Sequence, residues 1–225
     1  MGSNSYTDFY YSSATSSSPE RLSYSWPHYP AGTGNIMYAE AISQKLQDPK
    51  NPKPVMLNFK HVMSQVRWEI RNAGDKKIVI DRMSYYNINV KGNFYVNKPK
   101  EATITGPRIE WRPHTASNKS VLSNKNWQVP DTFTEVPYSY DTSTLIVPQT
   151  FQKSSGNNWC IAFNYTISND DGTETTGQTY VPLVVGDFDT VEIGKGYFYR
   201  YEITGVNADN SLIGTLTMDR TYNLD

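Results

Sequence analysis

Beyond Pro54 the chain alternates apolar and polar residues with a period of two, the repeat of a pleated strand. Val55, Leu57, Phe59 and His61 alternate with Met56, Asn58, Lys60 and Val62. The phase then flips, so that Val62, Ser64, Val66, Trp68 and Ile70 share one face, opposite Met63, Gln65, Arg67 and Glu69. Such a flip needs an extra residue or a turn, which places a bulge or one-turn corner at His61, Val62 and Met63. A corner of this kind lets one segment pass from one sheet of a sandwich to the other.

Further short strands are predicted downstream. Ile78, Val79 and Ile80 lead to residues 85–90, and Lys91-Gly92-Asn93 reads as a turn into Phe94-Tyr95-Val96. Ile104 and residues 108–111 follow, then a polar loop through 118–126, then Leu145-Ile146-Val147 before Pro148. Trp159, Ile161, Phe163, Tyr165 and Ile167 mark one face of a long strand, and Asn169-Asp170-Asp171-Gly172 reads as a hairpin turn. Residues 180–185 carry the returning strand, and residues 197–203 and 212–218 finish the chain. About eight strands joined by turns, with no long helix after Pro54, predict an all-β fold, an antiparallel β-sandwich.

The stretch before Pro54 differs. Phe9-Tyr10-Tyr11 and residues 22–26 flank a low-complexity run, Ser12-Ser13-Ala14-Thr15-Ser16-Ser17-Ser18-Pro19. Residues 37–46 fit either a helical stripe of Tyr38, Ile42 and Leu46 or a strand entering a loop. Pro49, Pro52 and Pro54 within 48–54 read as a linker, because proline denies donors and disfavours helix. The expected division is residues 1–53, the tail of a preceding β domain or an extended arm with linker, and residues 54–225, the C-terminal sandwich.

Composition agrees: 17 Tyr, 8 Phe and 5 Trp suit half-buried pleated surfaces. A net charge of −1 with interleaved signs offers no basic stripe for a phosphate backbone, so nucleic acid is not an expected partner. The one cysteine, Cys160, excludes an intramolecular disulfide and reads as a small packed thiol. No apolar run reaches the roughly 18 residues of a membrane span. Met1-Gly2-Ser3 reads as a cloning scar on a trimmed or mature form, so a missing signal peptide does not argue for the cytoplasm.

Candidate chemistry is sparse. His61 and Ser64 could be paired as base and nucleophile, yet no orienting residue or oxyanion hole is indicated, and a His whose ring satisfies backbone groups at the corner is the simpler reading. The oxygens of residues 169–174 lack the spacing of a calcium loop and read as a solvated hairpin. Asn118-Lys119-Ser120 and Asn164-Tyr165-Thr166 match the glycosylation sequon, the second inside a strand. No residue is therefore assigned as catalytic, cofactor-binding or metal-binding, and no cofactor is expected.

Four segments together resemble one family. Residues 55–66 carry Phe59, His61, Ser64 and Val66, and resemble the Phe-x-His-x-x-Ser-x-Val signature of fimbrillin-like proteins, the Mfa-like and FimA-like groups of Bacteroides-type bacteria. Asn35-Ile36-Met37-Tyr38-Ala39 is similar to the opening segment seen there, Leu145-Ile146-Val147-Pro148-Gln149 to an apolar-Pro-Gln segment, and residues 194–201 to a Gly-Lys-x-Tyr-x-Tyr strand. The family's frequent tryptophan after the last strand is absent here. The resemblance implies transthyretin-like sandwiches, lipoprotein export, and a structural or adhesive role as pilin, tip or accessory subunit of surface fimbriae at the outer membrane. It implies assembly with other pilin subunits by strand addition, contact with a host glycan or protein receptor, and membrane attachment only through a lipid anchor outside this chain. In polymerising members a protease removes an N-terminal strand, and the vacated groove accepts a neighbour's strand. The candidate donor here is 212–225, with Leu212, Leu216 and Met218 on one face, the plain alternative being this domain's own last strand. The competing function is a carbohydrate-binding surface lipoprotein using Tyr85-Tyr86 or Trp111 as a stacking platform.

Overall fold

The computed structural model of the protein describes residues 9–13, 20–25, 36–39, 57–98, 109–139, 144–153 and 158–224. Among these no α-helix occurs. The strands are β1 (Phe9–Ser12), β2 (Glu20–Ser25), β3 (Met37–Tyr38), β4 (Lys60–His61), β5 (Ser64–Asn72), β6 (Lys77–Lys98), β7 (Ile109–Gln128) and β8 (Thr134–Glu135). They continue with β9 (Leu145–Ile146), β10 (Gln149–Thr150), β11 (Cys160–Ser168), β12 (Glu174–Pro182), β13 (Thr190–Val191), β14 (Lys195–Val206) and β15 (Leu212–Asn223).

One sheet runs β1-β2-β6-β11-β12, with β7 along the other side of β6. The second runs β15-β14-β5-β8, with β9 also on β5. β5 alternates as its sequence requires: Ser64, Val66, Trp68 and Ile70 are buried and the residues between them half-buried. β11 does the same with Ile161, Phe163, Tyr165 and Ile167 inward. The two inner faces meet through aromatic rings. Trp68 stacks on Tyr199 of its own sheet with centroids 4.8 Å apart and donates its indole N–H across the layers to the Tyr85 hydroxyl at 2.8 Å. Phe163 stacks on Tyr201 at 5.1 Å. Such pairs add about 1 kcal/mol each beyond the area they bury. Burial pushes the Tyr85 hydroxyl up, and that of Tyr201 to about 12, so both stay neutral.

A second, smaller cluster holds Val62, Met63, Phe94, Val96, Trp111, Leu145 and Val147, with Ile36 and Tyr38 packed on it. β6 and β7 reach both clusters. The first half of β6 pairs with β11 and its last six residues with β2, while β7 follows it from 79 to 96.

Several expectations are corrected. Lys91-Gly92-Asn93 is not a turn but the middle of β6. A Cβ at Gly92 would lie 2.8 Å from Val147 Cγ1 and 2.9 Å from Trp111 Cε3, so the glycine admits a neighbouring indole rather than bending the chain. Residues 118–126 are not a loop but part of β7, which buries Lys119, Val121 and Leu122. Their polar look comes from register shifts against β6 and from left-handed backbone at Asn124 and Asn126, φ 52° and 46°. Leu57 and Phe59, read as an apolar face, are 48% and 57% exposed, since β4 is two residues long and pairs only with β3 among the described residues. The returning strand starts earlier than 180, at Glu174. β5 and β14 pair in parallel, where antiparallel neighbours were expected. Ile104, the linker 48–54 and the stripe through Leu46 lie outside the described residues.

Candidate functional site: the signature corner and the open edge

The four segments read as signatures meet at one place, the passage from β4 to β5. Val62 and Met63 are both buried there, in the smaller cluster, while Ser64 opens β5. Val62, Met63 and Ser64 are buried in succession and the chain bends at Met63, so a corner stands where it was expected. Its backbone groups are satisfied one by one. Val62 N–H donates to Ile36 O at 3.0 Å, Trp111 Nε1 donates to Val62 O at 2.6 Å, and Gly194 N–H donates to Met63 O at 3.1 Å. Gly194 has φ +69°, and a Cβ on it would stand 3.0 Å from His61 O, so the position favours glycine twice over. In the third segment the buried Gln149 side chain accepts from Asn89 N–H at 2.9 Å and donates to Asn89 O at 3.0 Å, replacing a strand partner for β6.

The structure does not join Ser64 and His61 by a hydrogen bond. The Ser64 hydroxyl donates to Glu192 O at 2.7 Å, and His61 Nδ1 is buried with no hydrogen-bond partner among the described residues, contrary to the reading of a ring satisfied by backbone. Cys160 is buried, as a packed thiol. The 169–174 hairpin turns on itself: Asp171 Oδ1 accepts from Thr173 N–H at 3.0 Å and its hydroxyl at 2.6 Å, which holds the Asp171 carboxyl below its usual range. Among the described residues no group of three His, Cys, Asp or Glu could hold a metal ion. Tyr85 and Trp111, named as stacking platforms, are core residues, whereas Tyr86 is half-buried and packs edge-on against Tyr180 at 5.2 Å.

The candidate donor segment is hydrogen-bonded along β14 from Leu212 to Asn223, so in this chain it serves as the domain's own last strand. β15 ends its sheet, with β14 as its strand partner and little beyond Leu212, Leu216 and Met218 turned inward, while Tyr222 packs on Phe198 and donates to Gln65 Oε1 on the outer face. The opposite edge of β15 has no strand against it among the described residues.

The sequence model of the fimbrillin-like proteins matches residues 4–219, nearly the whole chain. The chain belongs to the fimbrillin-like family. A fimbrial protein from Bacteroides vulgatus is similar in structure with TM-score 0.50 at 12% identity, covering 100% of this chain and 73% of that one. A proposed cell adhesion protein from Bacteroides uniformis gives TM-score 0.42 at 12% identity, covering 92% and 74%. No curated protein sequence matches the chain.

This fimbrillin-like sandwich has two differently finished outer surfaces. On the β8-β5-β14-β15 sheet, Arg71 pairs with Glu202 at 2.6 Å, Arg200 with Glu69 and Asp219 at 2.7 Å, and Arg220 with Asp219 at 2.7 Å. Arg67 chelates Glu135. The guanidinium groups also cover rings: Arg67 and Arg220 lie over Phe198, and Arg71 and Arg200 over Phe133. This ladder went unnoticed in the sequence, although the outward positions of β5 do read Gln65, Arg67, Glu69, Arg71.

Proposed function

We propose that the protein is a non-enzymatic structural or adhesive subunit of bacterial surface fimbriae, exported to the cell surface and assembling with other pilin subunits by strand addition. Membership of the fimbrillin-like family supports this reading, and the observation that carries it is the open edge of β15. A twelve-residue edge strand presents a row of unpaired N–H and C=O groups, a template for another chain unless it is covered. An extended segment of a second subunit laid along β15 satisfies those groups. Non-enzymatic use fits the Ser64 hydroxyl, which is occupied by Glu192 O at the corner.

We also propose the division into residues 1–53, an arm or the tail of a preceding β domain, and 54–225, the sandwich. In this division residues 1–53 lie against the sandwich as an arm: β2 pairs with β6, and Ile36 and Tyr38 pack on a cluster of residues from 62 to 147.

Assembly is tested by placing a benzophenone on Thr215→Cys, an exposed β15 position, in fibre-forming cells, with Gln178→Cys on the far sheet as control. Photolysis should join residue 215 to an extended segment of a neighbouring subunit, with no such product from residue 178. Fibres that give adducts from 178 and none from 215 would overturn assembly at this edge.

A further inference from the structure

The outer face of β6, β11 and β12 carries a groove that the fibre role does not use. It begins at a bulge. Against β11 the register of β6 jumps from Arg82↔Asn164 to Ile80↔Tyr165, and against β7 from Arg82↔Ser123 to Ile80↔Trp127. Asp81 is thus left out of both ladders at once. Across from it β7 is looped out, with Asn124 and Asn126 both in left-handed backbone, φ 52° and 46°. Bulges re-aim side chains, and non-glycine residues held at positive φ cluster where a surface is shaped for use.

The hollow so formed is about 550 Å³, lined by Asp81, Asn126, Asn164, Thr166, Thr176 and Gln178, with Tyr165 and Gly177 between them. That lies within the roughly 300–1,000 Å³ of ligand sites. Its outward polar side chains are one carboxylate, three amides and two aliphatic hydroxyls. Asn164 accepts from Gln178 Nε2 at 3.3 Å, and Gln178 Oε1 accepts from the Tyr180 hydroxyl at 3.0 Å. Among the described residues no side-chain hydrogen bond or ion pair engages Asp81, Asn126, Thr166 or Thr176, in contrast to the ladder on the other sheet. Tyr180 leads on to Tyr86, whose rings meet edge to face at 5.2 Å on this same side. Arg82 is exposed on this face too, opposite Asn164.

We infer that this groove binds a glycan through a pyranose ring. Vicinal hydroxyls of a sugar are donors and acceptors at fixed spacing, which a carboxylate and planar amides match in pairs. The C–H face of a sugar ring packs on aromatic surface, which the Tyr86–Tyr180 pair supplies beside the amides. Other ligand classes fit worse. A phosphate-rich ligand meets the Asp81 carboxylate and a single arginine, an apolar ligand would cover the Asp81 carboxylate and the amides without pairing them, and a peptide strand needs a sheet edge rather than a sheet face. The inference is independent of polymerisation, since β15 and this face lie on different sheets.

The test is amide chemical-shift mapping of the ¹⁵N-labelled chain titrated with methyl glycosides of mannose, galactose, glucose, fucose and N-acetylglucosamine, and with short oligomers of each, at millimolar concentration. At least one probe should give saturable shifts centred on residues 81, 126, 164, 166, 176 and 178. Asn164→Ala combined with Gln178→Ala should weaken that binding about tenfold or more, each lost pair of hydrogen bonds being worth roughly one decade. Thermal melting of the double variant, unchanged from the parent, shows that the fold is kept. No saturable shift from any probe, saturable shifts centred elsewhere, or binding untouched by the double substitution would each overturn the assignment. Chain assembly is read separately by the residue 215 cross-link, so either idea can fail alone.

Discussion

On the outer surface of the β15-β14-β5-β8 sheet, arginines and carboxylates answer one another across strands and lie over two phenylalanine rings. On the outer surface of β6, β11 and β12, a carboxylate and several amides and hydroxyls of similar polarity surround a hollow with few partners of their own. Both surfaces are hydrophilic, and a count of polar residues would not separate them. What differs is commitment. A charge already matched gains little from a newcomer, whereas an uncommitted acceptor on a concave surface can trade water for a ligand. The paired surface therefore reads as stability and solubility, and the hollow as recognition.

Lys119 offers the sharpest contrast, because it is a cation inside the protein. It is 5% exposed and donates to Leu145 O, and burial pulls its ammonium down to about 7. The unfolded value is about 10.4. Between about pH 7 and pH 10 the unfolded chain thus binds more protons, so stability rises with pH across that window and is flat below it. Lys119→Met should stabilise the fold by up to a few kcal/mol at pH 7 and remove the slope, as read from melting temperatures between pH 6 and pH 9.5. A Met variant that melts lower at every pH would show that the bond to Leu145 outweighs the buried charge.

Next in size is the ladder itself. Glu69 is its hub, 16% exposed, accepting from Arg200 at 2.7 Å and near Arg220 at 3.8 Å. Glu69→Ala should cost about 2 kcal/mol in urea unfolding, less than a fully buried pair because the partners reach solvent. Phe133→Ala removes the ring beneath Arg71 and Arg200 and should cost about 1 kcal/mol. The smallest effect is expected in the hollow, where Asn164→Ala and Gln178→Ala should each change stability by less than about 0.5 kcal/mol. A hollow variant as costly as Glu69→Ala would erase the distinction between the two surfaces.

Much of the fold was legible in the chain. The alternation of Val66, Trp68 and Ile70, and of Ile161, Phe163 and Tyr165, located inner faces, and the phase flip located the corner, because side-chain direction is a local consequence of the pleat. Gly92 was misread since a glycine marks either a turn or a close approach, and only the position of Trp111 decides which. Residues 118–126 misled because looped-out asparagines hid the buried pair Val121 and Leu122. The arginine ladder and the hollow depend on pairings between strands far apart in the chain, such as Arg71 with Glu202, and on a register slip at Asp81. No window along the sequence contains either.

The hairpin of β6 and β7 contributes to both hydrophobic clusters, with Tyr85 and Leu122 in one and Phe94 and Trp111 in the other. Neither body can come apart without breaking the ladder that splints its neighbour. Melting should accordingly be a single step, with the indoles of Trp68 and Trp111 losing their surroundings together. In the proposed fibre, that continuity would turn two modest cores into one mechanical element, with strain passed along the shared strands instead of gathering at a seam.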